Sequence, residues 1–293
     1  MDVKLVVTGA AGFIGAHLVR RLSALDGVEL ITVARKDGLR IDMAERGWTA
    51  KLPSSADIVI NLAQSRRYRE FPDGASDMLH VNVDAAAELA EWAARSGVRR
   101  FIQASTGNVY KASTGMLDEL APCDPDSMYG ASKFAAEGIV GAYSGLFHVV
   151  VLRLFGIYGE GQIQGIVPTI FEKLQNDQEI PLAGGIGLAA TPMHVSDCVR
   201  SIEKISMMQG LGSTGKMVLN IGGLDRYDLG DVATIAGRII GRIPRLKVVD
   251  GVPRTLLADV RAATRILGFE PRISLDEGLR RVVDGMDVGR SPE

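Results

Sequence analysis

The chain has 293 residues, 46% of them hydrophobic and 23% charged, with 33 basic and 35 acidic side chains and a formal net charge of −2. That balance describes a folded protein with a sizeable core, built as one large domain or as a core domain with a smaller appendage. It excludes disorder, offers no basic stripe for nucleic acid and no polybasic helix for a lipid surface, and contains no apolar run of the ~20 residues a membrane span needs. Cys123 and Cys198 support neither a disulfide framework nor a metal site and are expected to be ordinary small hydrophobes. The first residues run straight into an apolar strand with no room for a signal peptide, so the expected location is the cytoplasm.

Residues 3–8 form a continuous apolar run, as a strand buried on both faces of a parallel sheet requires. Residues 12–25 follow with apolar side chains at helical spacing, and residues 28–34 make the second strand. The strand pattern recurs at 57–62, 100–104 and 149–154, separated by helical stretches at 75–95 and 128–143. Strands alternating with helices imply right-handed crossovers and a doubly wound parallel α/β sheet. After about Tyr158 the rhythm changes to Gly159, Gly161 and Gly165, helices at 166–175, 196–207, 229–240, 259–267 and 275–284, and short strands at 179–182, 217–221 and 246–249. The expected organisation is a dinucleotide-binding Rossmann domain over residues 1–158, to which later segments return, and a smaller mixed substrate-binding region over 159–293.

Between the first strand and the first helix the chain reads Thr8-Gly9-Ala10-Ala11-Gly12-Phe13-Ile14-Gly15. Gly9 suits a tight turn, Gly12 lets backbone amides approach a pyrophosphate, and Gly15 lets the helix pack closely; the helix start supplies N–H groups and partial positive charge. The end of the second strand bears on which dinucleotide binds. An NAD site places a carboxylate there for the ribose hydroxyl, whereas an NADP site offers a cation for the 2′-phosphate. Here Arg35 and Lys36 stand next to the strand end, which leans towards NADP with NAD as the alternative. Asp42 and Met43, after a short third strand, are placed to bracket the adenine.

Tyr129 and Lys133 lie four residues apart at the start of a helix and so share a face. A phenol with a reference pKa near ~10 is a poor base at neutral pH, and a neighbouring ammonium stabilises the phenolate and lowers that value. A third hydroxyl for the substrate oxygen is offered by the segment 103–110, which closes the fourth main strand with Ser105 and Thr106.

With these motifs in order, the sequence resembles an extended short-chain dehydrogenase/reductase, the NAD-dependent epimerase/dehydratase family. Thr8 to Gly15 matches its TGxxGxxG turn, and Asn61-Leu62-Ala63-Gln64 resembles the segment that covers the cofactor. Asn82 matches its helix asparagine, 105–110 its SSxxVYG strand end, and Tyr129 to Lys133 its YxxxK. Arg153 to Gly159, with Phe155, resembles RxxNxYG, and Met193 to Asp197 the segment "hV.D". The resemblance implies Thr106, Tyr129 and Lys133 as catalytic residues. It implies a dinucleotide held by Gly9, Gly12, Phe13, Ile14, Gly15, Leu62, Ala63, Asn82, Phe155, Tyr129 and Lys133. It also implies a structural role for His194. The family often forms a homodimer through the helix bearing YxxxK and the long helix before it, and the Ala-rich stretches 85–94 and 131–139 suit that packing or an intramolecular core equally. His17, His80 and His148 show no partner pattern, and no metal is expected.

The family's 4,6-dehydratases carry Asp-Glu after the catalytic Thr; Gly107 and Asn108 stand there, which speaks against dehydration. A nucleotide-sugar 4-epimerase or 4-keto reductase remains the expected activity. Three departures leave open a nucleotide sugar bound differently or the alternative, an NADP-dependent reductase of a smaller alcohol or ketone: Gly156 replaces an Asn, Glu160 interrupts YGPG, and 188–192 lacks the Arg that nucleotide-sugar enzymes direct at the diphosphate, although Arg254 could substitute. A dinucleotide sensor without turnover would be expected to have lost Tyr129 or Lys133.

Overall fold

A computed structural model describes residues 2–35 and 38–288. The elements begin with β1 (Val3–Thr8), α1 (Phe13–Leu22), β2 (Val28–Ala34), β3 (Leu39–Arg40), β4 (Ile58–Asn61), α2 (Ala75–Leu79), α3 (Ala85–Arg95) and β5 (Arg100–Thr106). β6 (Met116–Leu117), α4 (Met128–Gly141), β7 (His148–Leu154), β8 (Ile157–Tyr158), α5 (Ile166–Gln175), β9 (Glu179–Ala183), β10 (Leu188–Ala190) and β11 (Met193–His194) follow. The chain ends with α6 (Val195–Met207), β12 (Gly215–Ile221), β13 (Tyr227–Asp228), α7 (Leu229–Ile240), β14 (Arg245–Val249), β15 (Arg254–Ala258), α8 (Arg261–Leu267) and α9 (Leu275–Val288).

The chain divides into two compact units. The first comprises Met1–Lys111, Ala121–Leu154 and Val199–Asn220. Its seven-stranded sheet has the order β12-β7-β5-β4-β1-β2-β3, and every pairing from β7 to β3 is parallel. The chain starts at β1 in the middle, winds outward through β2 to β3, then crosses back to β4. This reversal between β1 and β4 is the switch point at which doubly wound sheets open a crevice for ligands. β4 and β5 are buried along their whole length, which explains why they read as unbroken apolar runs. Helices on one face close a core around Trp48, Leu89, Phe101, Val140 and Phe147. The returning segment is tied in by Arg100, whose guanidinium donates to the carbonyls of Ile205 at 2.6 Å, Ser206 at 2.5 Å and Met208 at 2.8 Å at the end of α6. A cation at a helix carboxyl end satisfies carbonyls that have no partner within the helix.

The helix expected over 75–95 is not uniform. A π-helical turn, His80–Asp84, joins α2 to α3. Such turns insert one extra residue and re-aim the side chains they carry; here the re-aimed residue is Asn82.

The second unit comprises Ala112–Leu120, Phe155–Cys198 and Ile221–Glu293. It holds a four-stranded sheet, β13-β10-β15-β6, and the pairs β11-β8 and β14-β9. Its own core packs Ile170 and Phe171 of α5 with Val232 and Ala236 of α7 and Leu279 of α9. Among the described residues no helix is long and apolar enough to cross a membrane.

Candidate active site

The turn after β1 is shaped by its glycines. Gly9 has φ +67°, and a Cβ there would stand 2.7 Å from the carbonyl of Leu62 and 2.8 Å from the amide of Ala63. A Cβ on Gly15 would fall 2.1 Å from the carbonyl oxygen of Gly9. The close approach at Gly15 is therefore between helix and turn, rather than between helix and sheet. Gly12 caps α1 without any side-chain hydrogen bond. The amides of Phe13 and Ile14 in the first turn thus face the carboxyl edge of the sheet as donors for an anion.

Arg35, directly after β2, is exposed, and its Nε lies 3.7 Å from Asp42 Oδ1. Lys36 lies outside the described residues. Asp42 also accepts from the Ala44 amide at 3.1 Å, and Met43 packs on the core beside Ile41 and Trp48.

A polar ladder crosses the carboxyl ends of β1, β4 and β5. Thr8 Oγ1 donates to Asn61 Oδ1 at 2.5 Å, and Asn61 Nδ2 donates to Gln103 Oε1 at 2.8 Å. Asn61 Oδ1 also accepts from the Ala63 amide at 3.3 Å, fixing the Leu62-Ala63 segment over Gly9. Asn82 uses both ends of its amide within the protein: Oδ1 accepts from the Ser65 amide at 2.9 Å and Nδ2 donates to Ser132 Oγ at 2.9 Å. It ties the segment after β4 to the helix that carries Tyr129 and Lys133.

That helix, α4, starts where Ser127 caps it, its hydroxyl accepting from the Gly130 amide at 3.2 Å. Tyr129 and Lys133 occupy its first two turns. A Cβ at Gly130 would meet the carbonyl oxygen of Asn108 at 2.4 Å, so α4 begins hard against the end of β5. This brings the first turn of α4 to the end of β5, where the Thr106 hydroxyl accepts from the Asn108 amide at 3.2 Å. The Tyr129 phenol donates to Gln64 Oε1 at 3.3 Å.

The electrostatics differ from the sequence expectation. Burial pushes the Tyr129 phenol up to about 12; the Thr106 hydroxyl opposes the rise, the Tyr68 phenol adds to it, and Lys133 is not among its causes. Burial pulls the Lys133 ammonium down to about 8, against the charge of Glu137. Desolvation is the first cause at both groups, since burial disfavours the charged form of each. Tyr129 is thus a proton donor at neutral pH, and Lys133 is poised close to its own titration.

Of the groups that brace this cluster, Glu137 was not singled out in the sequence, while Ser105, Tyr110 and Arg153 entered only as parts of family motifs. Glu137, one turn beyond Lys133, accepts from the Ser105 hydroxyl and from both Nε and Nη2 of Arg153. Arg153 lies over the Tyr110 ring at 4.6 Å, and Tyr110 donates to Asn220 Oδ1 at 2.8 Å. The signal available was the i, i+4 spacing of Lys133 and Glu137. Tyr68 and Ser132 carried no comparable pattern, and Gln64 was read only as the end of the segment that covers the cofactor.

In the second unit Phe155 is fully buried, its amide donating to the Ile221 carbonyl at 2.8 Å. His194 is also fully buried; its Nε2 lies 3.0 Å from Glu160 Oε2, and its ring meets Tyr158 edge-on. Asp197 accepts from the amides of Arg272 and Ile273 at 2.8 and 2.9 Å. Among the described residues no group of three or more His, Cys, Asp or Glu could hold a metal ion.

Comparison with known proteins places this architecture. The NAD dependent epimerase/dehydratase family model matches residues 5–222. The dTDP-glucose 4,6-dehydratase of Streptomyces griseus is 31% identical over 97% of this chain and 94% of its own length. The uncharacterized UDP-glucose epimerase YtcB of Bacillus subtilis is 28% identical over 94% of this chain and 96% of its own. Among solved structures, MoeE5 in complex with UDP-glucuronic acid and NAD is similar with a TM-score of 0.86 and 28% identity, covering 98% of this chain and 99% of that one. DesIV, a dTDP-glucose 4,6-dehydratase from Streptomyces venezuelae solved with NAD, has a TM-score of 0.86 at 25% identity, covering 98% of each chain. The chain belongs to the NAD dependent epimerase/dehydratase family.

Proposed function

We propose that this protein moves a hydride at one secondary alcohol or ketone carbon of a nucleotide sugar, as an NAD-dependent 4-epimerase or 4-keto reductase. The observation that carries this reading is Tyr129 with buried Lys133 one turn further along α4, on a helix that starts against the end of β5 where Thr106 stands. Thr106 orients the substrate oxygen, Tyr129 gives it a proton as a ketone is reduced, and Lys133 supplies the positive charge that allows the phenol to take the proton back.

The turn fits a dinucleotide. Side chains at Gly9 or Gly15 would fill the cradle, and the start of α1 offers amides to a pyrophosphate. The Gly9 to Gly15 turn, Leu62-Ala63 and Lys133 would hold it, with Arg35 and Asp42 towards the adenosine end. When bound it supplies the acceptor and donor of the hydride. NAD is the better reading than NADP: Arg35 already has Asp42 as a partner, and MoeE5 and DesIV were both solved with NAD. The first unit then serves as the dinucleotide-binding part, and the second as the substrate-binding part.

Dehydration is disfavoured although the Streptomyces griseus relative is a dehydratase. Gly107 has no acid or base to offer, and the Asn108 amide is turned back on Thr106 at 3.1 Å. A smaller non-nucleotide substrate is favoured by one observation. Leu188 and Ala190 line an apolar cavity of about 80 Å³ in the second unit, with Tyr227, Leu229 and Val232, and no cation among its lining residues. Incubation with UDP- and dTDP-sugars in D2O separates the readings. A C4 epimer or a 4-hydroxy product is expected; a 4-keto-6-deoxy product would show dehydration, and no product from any nucleotide sugar would favour the smaller substrate.

A further inference from the structure

Between β4 and α2 the chain reads Gln64-Ser65-Arg66-Arg67-Tyr68-Arg69-Glu70, three cations and one carboxylate in seven residues. The segment is pinned beside the candidate catalytic tyrosine. The Ser65 amide donates to Asn82, the Ser65 hydroxyl donates to Asp77, and the Arg67 amide donates to Ser65 Oγ at 3.1 Å. A Cβ on Gly74 would stand 2.2 Å from the Arg67 carbonyl oxygen, so the far end of the segment folds tightly on itself.

Its aromatic and cationic side chains form a row of contacts that leads to Tyr129. The Tyr68 ring centroid lies 5.3 Å from that of Tyr129, with the planes at 50°. The Arg69 guanidinium carbon lies 5.2 Å from the Tyr68 centroid. The three arginines differ in how their charge is used. Arg67 Nε sits 2.7 Å from Glu70 Oε2, and the charges of Asp77 and Asp73 add to that pair. Neither Arg66 nor Arg69 has an ion-pair partner among the described residues. A guanidinium resting on an aromatic ring keeps its planar fork of N–H donors available, which matches a carboxylate or phosphate.

We propose that Arg69, joined through the Tyr68 ring to Tyr129, is a specificity-determining residue that recognises an oxyanion on the substrate, with a carboxylate on the reacting sugar the favoured source. The inference rests on the nucleotide-sugar reading above and deepens it: the sugar is an acidic one. Tyr129 handles the reacting oxygen, and Arg69 stands one ring further out. The group it meets therefore belongs to the sugar or to the phosphate next to it. Both sources share the same chemistry, and the choice of substrate distinguishes them.

The test compares KM and kcat for UDP-glucuronate and UDP-glucose in the wild type and in Arg69→Met, Arg69→Lys and Arg67→Met. Arg69→Met is expected to raise KM for UDP-glucuronate roughly tenfold or more with kcat largely kept. Arg69→Lys should recover part of the loss, and Arg67→Met should change little because that charge is already engaged. A loss confined to UDP-glucuronate supports the carboxylate; an equal loss with UDP-glucose supports the oxyanion but assigns it to the diphosphate. Unchanged KM values in Arg69→Met, or an equal loss in Arg67→Met, overturn the proposal. If the wild type turns over neither sugar, the nucleotide-sugar reading fails. Heat protection by free glucuronate relative to glucose then decides the role of Arg69: protection lost in Arg69→Met supports it, and protection absent or unaltered by the substitution overturns it.

Discussion

Arg153 donates to both carboxylate oxygens of Glu137, from Nε to Oε1 at 3.0 Å and from Nη2 to Oε2 at 2.7 Å. The two side chains are 6% and 2% exposed, so the pair links β7 to α4 in the interior, one turn beyond Lys133. Removing one partner of such a pair strands the other charge. Glu137→Leu is expected to destabilise the fold by about 3 to 5 kcal/mol. The double variant Glu137→Leu, Arg153→Met should lose clearly less than the sum of the two singles, because no unpaired charge remains. Urea unfolding midpoints measure both.

The glycines of the turn and of α4 have opposite expectations. Gly15→Ala drives a methyl into the Gly9 carbonyl, so it should abolish dinucleotide binding and lower the melting temperature. Gly138 is exposed on α4, and a Cβ added there would meet nothing within 4 Å. Gly138→Ala should stabilise by roughly 0.5 to 1 kcal/mol through helix propensity and leave dinucleotide binding unchanged. Calorimetric melting with and without NAD reads both effects.

These contrasts show which parts of the molecule were legible in the sequence. The sheet was readable because β1, β4, β5 and β7 are buried runs whose apolar character does not depend on their neighbours. The glycine turn and the Tyr129/Lys133 spacing were readable because each has a backbone or helical geometry behind it. β10, β11, β13 and β15, of two to five residues each, carry little periodicity and exist through their pairing partners. The π-helical turn at His80–Asp84 was hidden for a related reason: the helical pattern around it is continuous, and Asn82 is re-aimed only by the tertiary contacts to Ser65 and Ser132. The direction of the Tyr129 shift could not be read from a Tyr-x-x-x-Lys motif, since it depends on how completely water is excluded.

Lys133 gives a pH dependence with a defined sign. Burial holds its ammonium at about 8, while the Tyr129 phenol stays protonated up to about 12. Turnover that depends on the ammonium should therefore fall as pH rises through about 8. For stability, the unfolded chain keeps this proton up to 10.5 and the folded chain only up to about 8, so the stability due to this group rises with pH between those values. Lys133→Met removes the cost of burying the charge, on the order of 3 kcal/mol at neutral pH. It should stabilise the protein there, with the gain vanishing by pH 10.5. Melting curves of the two proteins across this range test the sign.

Hydride transfer at a single carbon, with Tyr129 carrying the proton, is tested most directly by mixing NAD-loaded protein with a UDP-sugar. The near-ultraviolet absorbance of the reduced dinucleotide is followed in the wild type and in Tyr129→Phe. The wild type should show reduced dinucleotide and form the epimer. If it is a reductase, protein loaded with reduced dinucleotide and given a 4-keto sugar should instead lose that absorbance as the alcohol forms. Tyr129→Phe should bind NAD as tightly and lose both signals by roughly a hundredfold to ten-thousandfold. A Tyr129→Phe protein that forms product at the wild-type rate would contradict this role for the phenol.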